Sequence, residues 1–319
     1  MNFSLKSLWN RQAGGWSAVD MQGGVFGVSV KLPQRVGAKP VVVQHVVFLG
    51  QQVADGAVLA QMARGLAGSA FETVTLLARH QYQVFMVDKP AVRPDEMDSS
   101  LRLVVSSLID YPIAEAALAW FEIPVQQSMG SRVPQLYTVV ARNEHVAACS
   151  TLFEQAHLRL DAVDIRESAQ RNISWLLENE KTATCMIHAG SDGVQLTITH
   201  KRELYLLRFI GETLLDKAGP ESRDPLLSAV ERLALEIHRS FDFVRRNYPS
   251  LQLDVLYVAP TLVDIDLANL LRPHLMDEVK ALDLSVVFEF PQGSELKKTQ
   301  VQAQLFHALG SALRIHGEE

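Results

Sequence analysis

The first fifty positions read as apolar runs of strand length separated by turn formers, which predicts strands over 17–21, 25–31 and 41–49 with the loop "LPQRVGAKP" before the third. A helical pattern follows over about 51–66. The next stretch has an internal order of its own. Strand "YQVFMVD" (82–88), a helix over 94–109, strands over 116–123 and 135–141, and a helix over 143–157 with Asn143 as its N-cap would make a small sheet with its own helices. Residues 81–158 are therefore expected to fold as a compact α+β insert.

Beyond "LRLDAVDI" and a helix reaching Glu178, the opening pattern returns. "TATCMIHAG", "GVQLTITH" and "ELYLLRFI" are three more strand-like runs, and the turn "HAGSDG" stands where "DMQGG" stood before. The clearest helix opens at Asp224 and Pro225, carries Leu226, Val230, Leu233, Ile237, Phe241 and Val244 at three- and four-residue spacing, and ends near Pro249. Strand "LQLDVLYVAP", a helix over 266–279, strand "LSVVFEF" and a helix over 299–315 then alternate, which implies a parallel portion of sheet. The expected class is α/β with two lobes, each begun by a three-strand meander. The expected division is a tail over 1–15, a first lobe from 16–80 with 159–180, the insert, and a second lobe over 181–319.

Composition narrows the function classes. The chain has 319 residues, 48% of them apolar, enough for a sizeable core. A net charge of −6 without a basic block argues against a nucleic-acid surface, because neutralising phosphates needs clustered Lys and Arg. The apolar runs stop short of the roughly 20 residues that span a bilayer, and no secretory signal is visible, so a cytoplasmic location is expected. At the start, "MNFSLKSLWNR" sets Phe3, Leu5, Leu8 and Trp9 among Lys6 and Arg11; a frayed or docked terminus is the expectation, contact with lipid the alternative.

Candidate chemistry is sparse. Cys149 and Cys185 lack a CxxC partner and read as small core residues. His145 and Cys149 lie one helical turn apart, but two ligands do not make a metal site. His188, Ser191 and Asp192 share one short turn, which cannot hold three groups in triad geometry.

The duplicated layout with its insert resembles the actin-like (ribonuclease H-like) fold, in the variant of the cell-division protein FtsA and the pilus assembly protein PilM. The run "YQVFMVDKPAVRPDEMDSSLRLVVSSLIDYPIAEAALAWFEIPVQ" is similar to MshI, the PilM relative of the mannose-sensitive haemagglutinin (MSHA) type IV pilus. "ALEIHRSFDFVRRNYP" resembles the long second-lobe helix of PilM proteins and "LFHALGSALR" their closing helix, so the resemblance touches nearly the whole chain. It implies a non-enzymatic cytoplasmic scaffold at the inner membrane. Its partners would be other pilus assembly proteins and a PilN-like membrane protein, whose cytoplasmic tail would lie between the first-lobe sheet and the insert.

Many PilM-like proteins also bind ATP between the lobes, where two hairpin turns clamp the phosphates through backbone N–H groups and an Asp helps to hold the metal ion. The family's first turn reads like "DIGSSSVK". This chain keeps Asp20, but Gln22 replaces the first Gly, Gly23 and Gly24 replace serines, and Gly27 replaces the lysine. In the second turn His188, Ala189 and Gly190 meet the family's "DIG", leaving Gly190, Ser191 and Gly193 to curve around a phosphate. Ala259 and Pro260 stand where a glycine-rich segment would admit adenine. Glu236, Arg239 and Ser240 match the family's pattern around the nucleotide, and would look the same as a solvated helix face. The resemblance thus marks Asp20, Gly190, Glu236, Arg239 and Ser240 as cofactor-binding positions in a site that reads as degenerate. No catalytic residue and no cofactor are expected. The alternative is an ATP-binding or ATP-cleaving actin-like protein that takes ATP and magnesium weakly. No GxGxxG follows any strand, against a dinucleotide site.

Overall fold

The computed structural model describes residues 14–33, 35, 37–50, 56–66, 71–125, 133–217, 223–263, 265–275 and 278–314. Two five-stranded sheets carry the fold, and they share one plan. The first is built from β1 (Gly15–Asp20), β2 (Gly24–Lys31), β3 (Val41–Leu49), β4 (Glu72–Leu76) and β8 (Ala162–Asp164), in the order β3-β2-β1-β4-β8. The second uses β9 (Thr182–Ala189), β10 (Val194–His200), β11 (Glu203–Ile210), β12 (Gln252–Val258) and β13 (Glu278–Ala281), in the order β11-β10-β9-β12-β13. In each, an antiparallel meander is extended by two parallel strands.

Three of these strands were not assigned from the sequence, among them β8, only three residues long. β4, "ETVTL", is a short central strand whose alternation is too brief to register. β13, "EVKA", begins within the last two positions of the helix expected over 266–279 and runs past its end. That helix stops after α6 (Leu267–Leu271) and one 3-10 turn at Arg272–His274, because Pro273 offers no N–H to continue it. "LSVVFEF" forms a 3-10 turn at Leu284–Val286 and a single bridge, Val41 to Glu289, rather than a strand.

Between β4 and β8 the chain makes a third sheet, in the order β5-β7-β6 from β5 (Tyr82–Asp88), β6 (Ala116–Glu122) and β7 (Gln135–Arg142). Alternation along its strands gives it two apolar faces. One packs Val87, Leu136 and Val140 under α2 (Met97–Val105); the other packs Val84, Val139 and Ala141 under α3 (Asn143–Gln155), which also reaches α1 (Gly56–Ala63) of the first lobe. Asn143 does not cap α3: Arg142 holds the N-cap position, and the Asn143 amide donates to the Ala114 carbonyl.

The lobes are joined by crossed helices. α4 (Arg166–Leu177) follows the first sheet yet packs on β9 and β10 of the second, where the Gln170 amide donates to the Met186 carbonyl at 3.0 Å and to Thr197 Oγ1 at 2.9 Å. α7 (Thr299–Ser311) follows the second sheet yet packs on β1, β2 and β4 of the first, burying Leu305, Phe306 and Leu309 with Trp16, Val28 and Val74. An apolar stripe along a helix does not say which sheet it will cover, so this exchange was not part of the sequence expectation. Where α4 and α7 cross, a Cβ on Gly310 would stand 2.1 Å from the Ala169 carbonyl oxygen, so only glycine permits the approach. α5 (Arg223–Asn247) covers the opposite face of the second sheet with Val230, Leu233, Ile237 and Phe241.

Candidate functional site

The carboxyl ends of the parallel strands in both sheets meet at a cleft of about 980 Å³ between the lobes, the position at which open α/β sheets present their ligand sites. The β1–β2 and β9–β10 turns face each other across it. Asp20, the last paired residue of β1, is buried and accepts the Gln22 N–H at 3.1 Å; burial pushes its carboxyl up to about 6 against the pull of the Arg166 guanidinium. Its counterpart in β9 is His188, on the same face of its own sheet, whereas Ala189 packs into the core under α5. In the second turn the Gly190 N–H closes on the Gly193 carbonyl at 2.8 Å, and Gly193 holds φ +145°, a backbone that side chains rarely adopt.

The cleft floor is aromatic and cationic. The His188 ring stacks on Phe306 at 4.8 Å and meets His307 edge-on at 4.4 Å. Burial, with Arg166 nearby, pulls His188 down to about 3, and the same causes together with His188 hold His307 well below its ordinary value, so both rings are neutral. His307 Nδ1 lies 3.9 Å from the Asp20 carboxylate. Arg166, at the first turn of α4, reaches across to Asp192 of the second turn at 3.4 Å. Arg79 forms part of the rim, its guanidinium between the rings of Tyr82 and Phe209.

Of the sequence-derived positions, Asp20, Gln22, Gly23, His188, Ala189, Gly190 and Ser191 line this cleft. Glu236, Arg239 and Ser240 do not. They sit on α5, where Glu236 and Ser240 engage Arg208 of β11 and Arg239 pairs with Glu236 one turn away. Arg208 alternates with Phe209, so the residue facing the cleft is Phe209, and this group of side chains looks away from it. Ala259 is buried in the core, and Leu262 provides the cleft wall. Arg166 and His307 were missed: Arg166 could have been found as the first helical residue after a parallel strand, whereas His307 becomes a cleft residue only because α7 crosses lobes. The structure also returns a cation to a cleft whose turns had lost their lysine.

A second cavity, of about 460 Å³, lies between the first lobe and the insert. Its walls are the β1–β2 turn at Met21 and Gln22, the end of β4 at Leu76, and the α3 face carrying His145, Ala148 and Leu152. The described lining contains no Asp, Glu, Lys or Arg, so it suits apolar anchors and amide contacts. His145 and Cys149 are wall residues here; among the described residues no group of three or more His, Cys, Asp or Glu is placed to hold a metal. No helix among the described residues is long and apolar enough to cross a membrane.

No family model matches the chain, and a search of curated proteins finds no match. Among solved structures the chain is similar to one described as the PilM-PilN type IV pilus biogenesis complex, at 17% identity and a TM-score of 0.71 over 94% of this chain and 98% of that one. It is also similar to a Bacteroides thetaiotaomicron protein of actin-like ATPase fold and unknown function (8% identity, TM-score 0.48, 94% of this chain and 99% of that one). A third is the cytoplasmic domain of EpsL, an inner-membrane component of the Vibrio cholerae type II secretion system (9%, 0.47, 91% and 94%). The repeated sheet plan, the crossed helices and the first of these likenesses define an actin-like fold. The inserted three-stranded subdomain is part of the region matched to the PilM-PilN structure, which spans almost the whole of both chains.

Proposed function

We propose that this chain is a non-enzymatic scaffold of an MSHA-type, type IV pilus assembly complex, and that it holds the cytoplasmic tail of a PilN-like inner-membrane protein in the cavity between first lobe and insert. One observation carries the reading: that cavity is open, its described lining carries no Asp, Glu, Lys or Arg, and its walls come from the first lobe and the insert, as a site for an extended peptide with apolar anchors requires. The protein itself would be cytoplasmic and reach the membrane through its partner.

The interlobe cleft supports the same reading, because its side chains fit a magnesium triphosphate poorly. Asp20 is buried, spends an oxygen on its own turn, and bears a desolvation cost when it ionises, which weakens it as a metal-organising carboxylate. Asp192, the other nearby carboxylate, is engaged by Arg166, and two neutral imidazoles stand beside Asp20.

The test is titration of a labelled PilN-type tail peptide. Wild type is expected to bind, and Ala148→Trp, which fills the cavity from an exposed position on α3, to weaken binding at least about tenfold with melting temperature unchanged. In parallel, millimolar MgATP is expected to leave the melting temperature where it was; a ligand at one hundred times its Kd would add about 2.7 kcal/mol. Peptide binding that ignores Ala148→Trp overturns the assignment of the cavity, and a clear ATP shift overturns the empty role given to the cleft.

A further inference from the structure

The insert has two helices, and the proposed tail site uses only α3. α2 lies on the far side of the insert sheet, packing Met97, Leu101 and Val105 inward. Its outward face is apolar where a solvated helix would be charged. Leu103 and Val104 of α2, 78% and 38% exposed, stand one turn beyond Ser100, and the turn after the helix continues the row with Ser107 and Leu108, the latter 45% exposed. The polar atoms nearby are turned away from this stripe. Ser106 and Ser107 return their hydroxyls to the Leu103 and Val104 carbonyls at 2.7 and 3.0 Å, and Arg102 is folded back onto Asp98 and the Ala116 carbonyl. A stripe of this kind, at helix-packing spacing, marks an interaction surface.

Charge decides what covers it. Asp95, Glu96 and Asp98 stand at its start and Asp110 and Glu115 at its end, against Arg93, Arg102 and Arg142. The first three acids complement the helix dipole; Asp110 and Glu115 have no such role, and Arg142 approaches them only to 3.9 and 3.8 Å. We infer that the outer face of α2 is a second docking surface, and that it takes an amphipathic helix of a partner protein with basic flanks around an apolar stripe. An anionic membrane would be repelled by the acidic rim. A second copy of the chain, antiparallel across a two-fold axis, would set acid excess against acid excess at both ends.

The probe is a fluorescent 18-residue helix of leucine and lysine, with leucine at the matching spacing, alongside an equal peptide with glutamate for lysine. The lysine peptide is expected to bind in the low-salt range, and the glutamate peptide not to. Leu103→Ser with Leu108→Ser is expected to cost about tenfold or more, Asp110→Lys to weaken binding and flatten its salt dependence, and Ala148→Trp to change nothing. All these positions are exposed, so unchanged melting temperatures separate lost contact from lost fold. Equal binding by the two peptides, or by wild type and the leucine double variant, overturns the inference. So does sedimentation of wild type with phosphatidylglycerol vesicles, or a dimer in sedimentation equilibrium, if either is lost in the double variant.

Discussion

The two lobes have the same strand order, the same meander and the same parallel extension, yet their cleft-facing turns carry opposite chemistry. At the end of the first strand, one lobe presents a buried carboxylate, Asp20, and the other an imidazole, His188. His188 thus fills with a neutral ring the space that a second acid would otherwise organise. Backbone plan and side-chain chemistry have therefore separated. A five-stranded sheet is held by a core spread over dozens of residues, whereas the polar character of a turn rests on one or two, so the frame can persist while the chemistry changes.

The comparison assumes that both lobes hang on one helix crossing, and that is where it can be broken hardest. Gly310→Val should drive a side chain into the Ala169 backbone and cost about 4 kcal/mol or more, with both lobes losing structure in one transition by urea denaturation. Separate transitions would mean that the lobes are independent.

Asp20 sharpens it next. A carboxyl whose folded value is raised to about 6 binds its proton more tightly when folded, so it costs stability at high pH and the cost fades as pH falls from about 6 to about 4. Asp20→Asn should therefore stabilise by about 3 kcal/mol at pH 7 and scarcely at pH 4, measured by denaturant titration at both. His188 has the opposite sign. Its depressed value means that the unfolded chain takes up protons first, so its stabilising contribution, complete above about pH 6.5, is lost as pH falls toward 3. His188→Phe should remove about 2 kcal/mol of the loss between pH 6.5 and pH 5, read as a shallower fall in melting temperature.

The smallest effect concerns the insert, which touches both lobes. The Tyr137 hydroxyl of β7 accepts the Leu207 N–H of β11 at 2.9 Å, beside a cluster of Ile123 and Leu204, and burial pushes the phenol up to about 12. Tyr137→Phe should cost about 1 kcal/mol and speed hydrogen exchange at Leu207, leaving the distant β13 unaffected.

Much of the frame was legible because strands near turn formers and helices with one long apolar stripe announce themselves locally. The six meander strands, the three insert strands, and α5 fall where the pattern put them. β4 and β13 were not legible: a four- or five-residue strand between better-marked elements has too few positions to show a period, and two of the four residues of β13 are charged, as suits an edge. The candidate site divided in the same way. Asp20 and Gly190 lie on turns whose direction follows from the strands beside them. Glu236, Arg239 and Ser240 depended on which face of the second sheet α5 would cover, and the sequence is silent on that.

By itself, then, the chain determined its local elements and their duplication, because hydrophobic period and turn chemistry act over a few residues. Which helix covers which sheet, the exchange of α4 and α7 between lobes, and the meeting of Asp20, Arg166, His188 and His307 were decided only in three dimensions. Those contacts join positions up to 287 residues apart, and they depend on how whole apolar faces are shared out, which no window along the sequence contains.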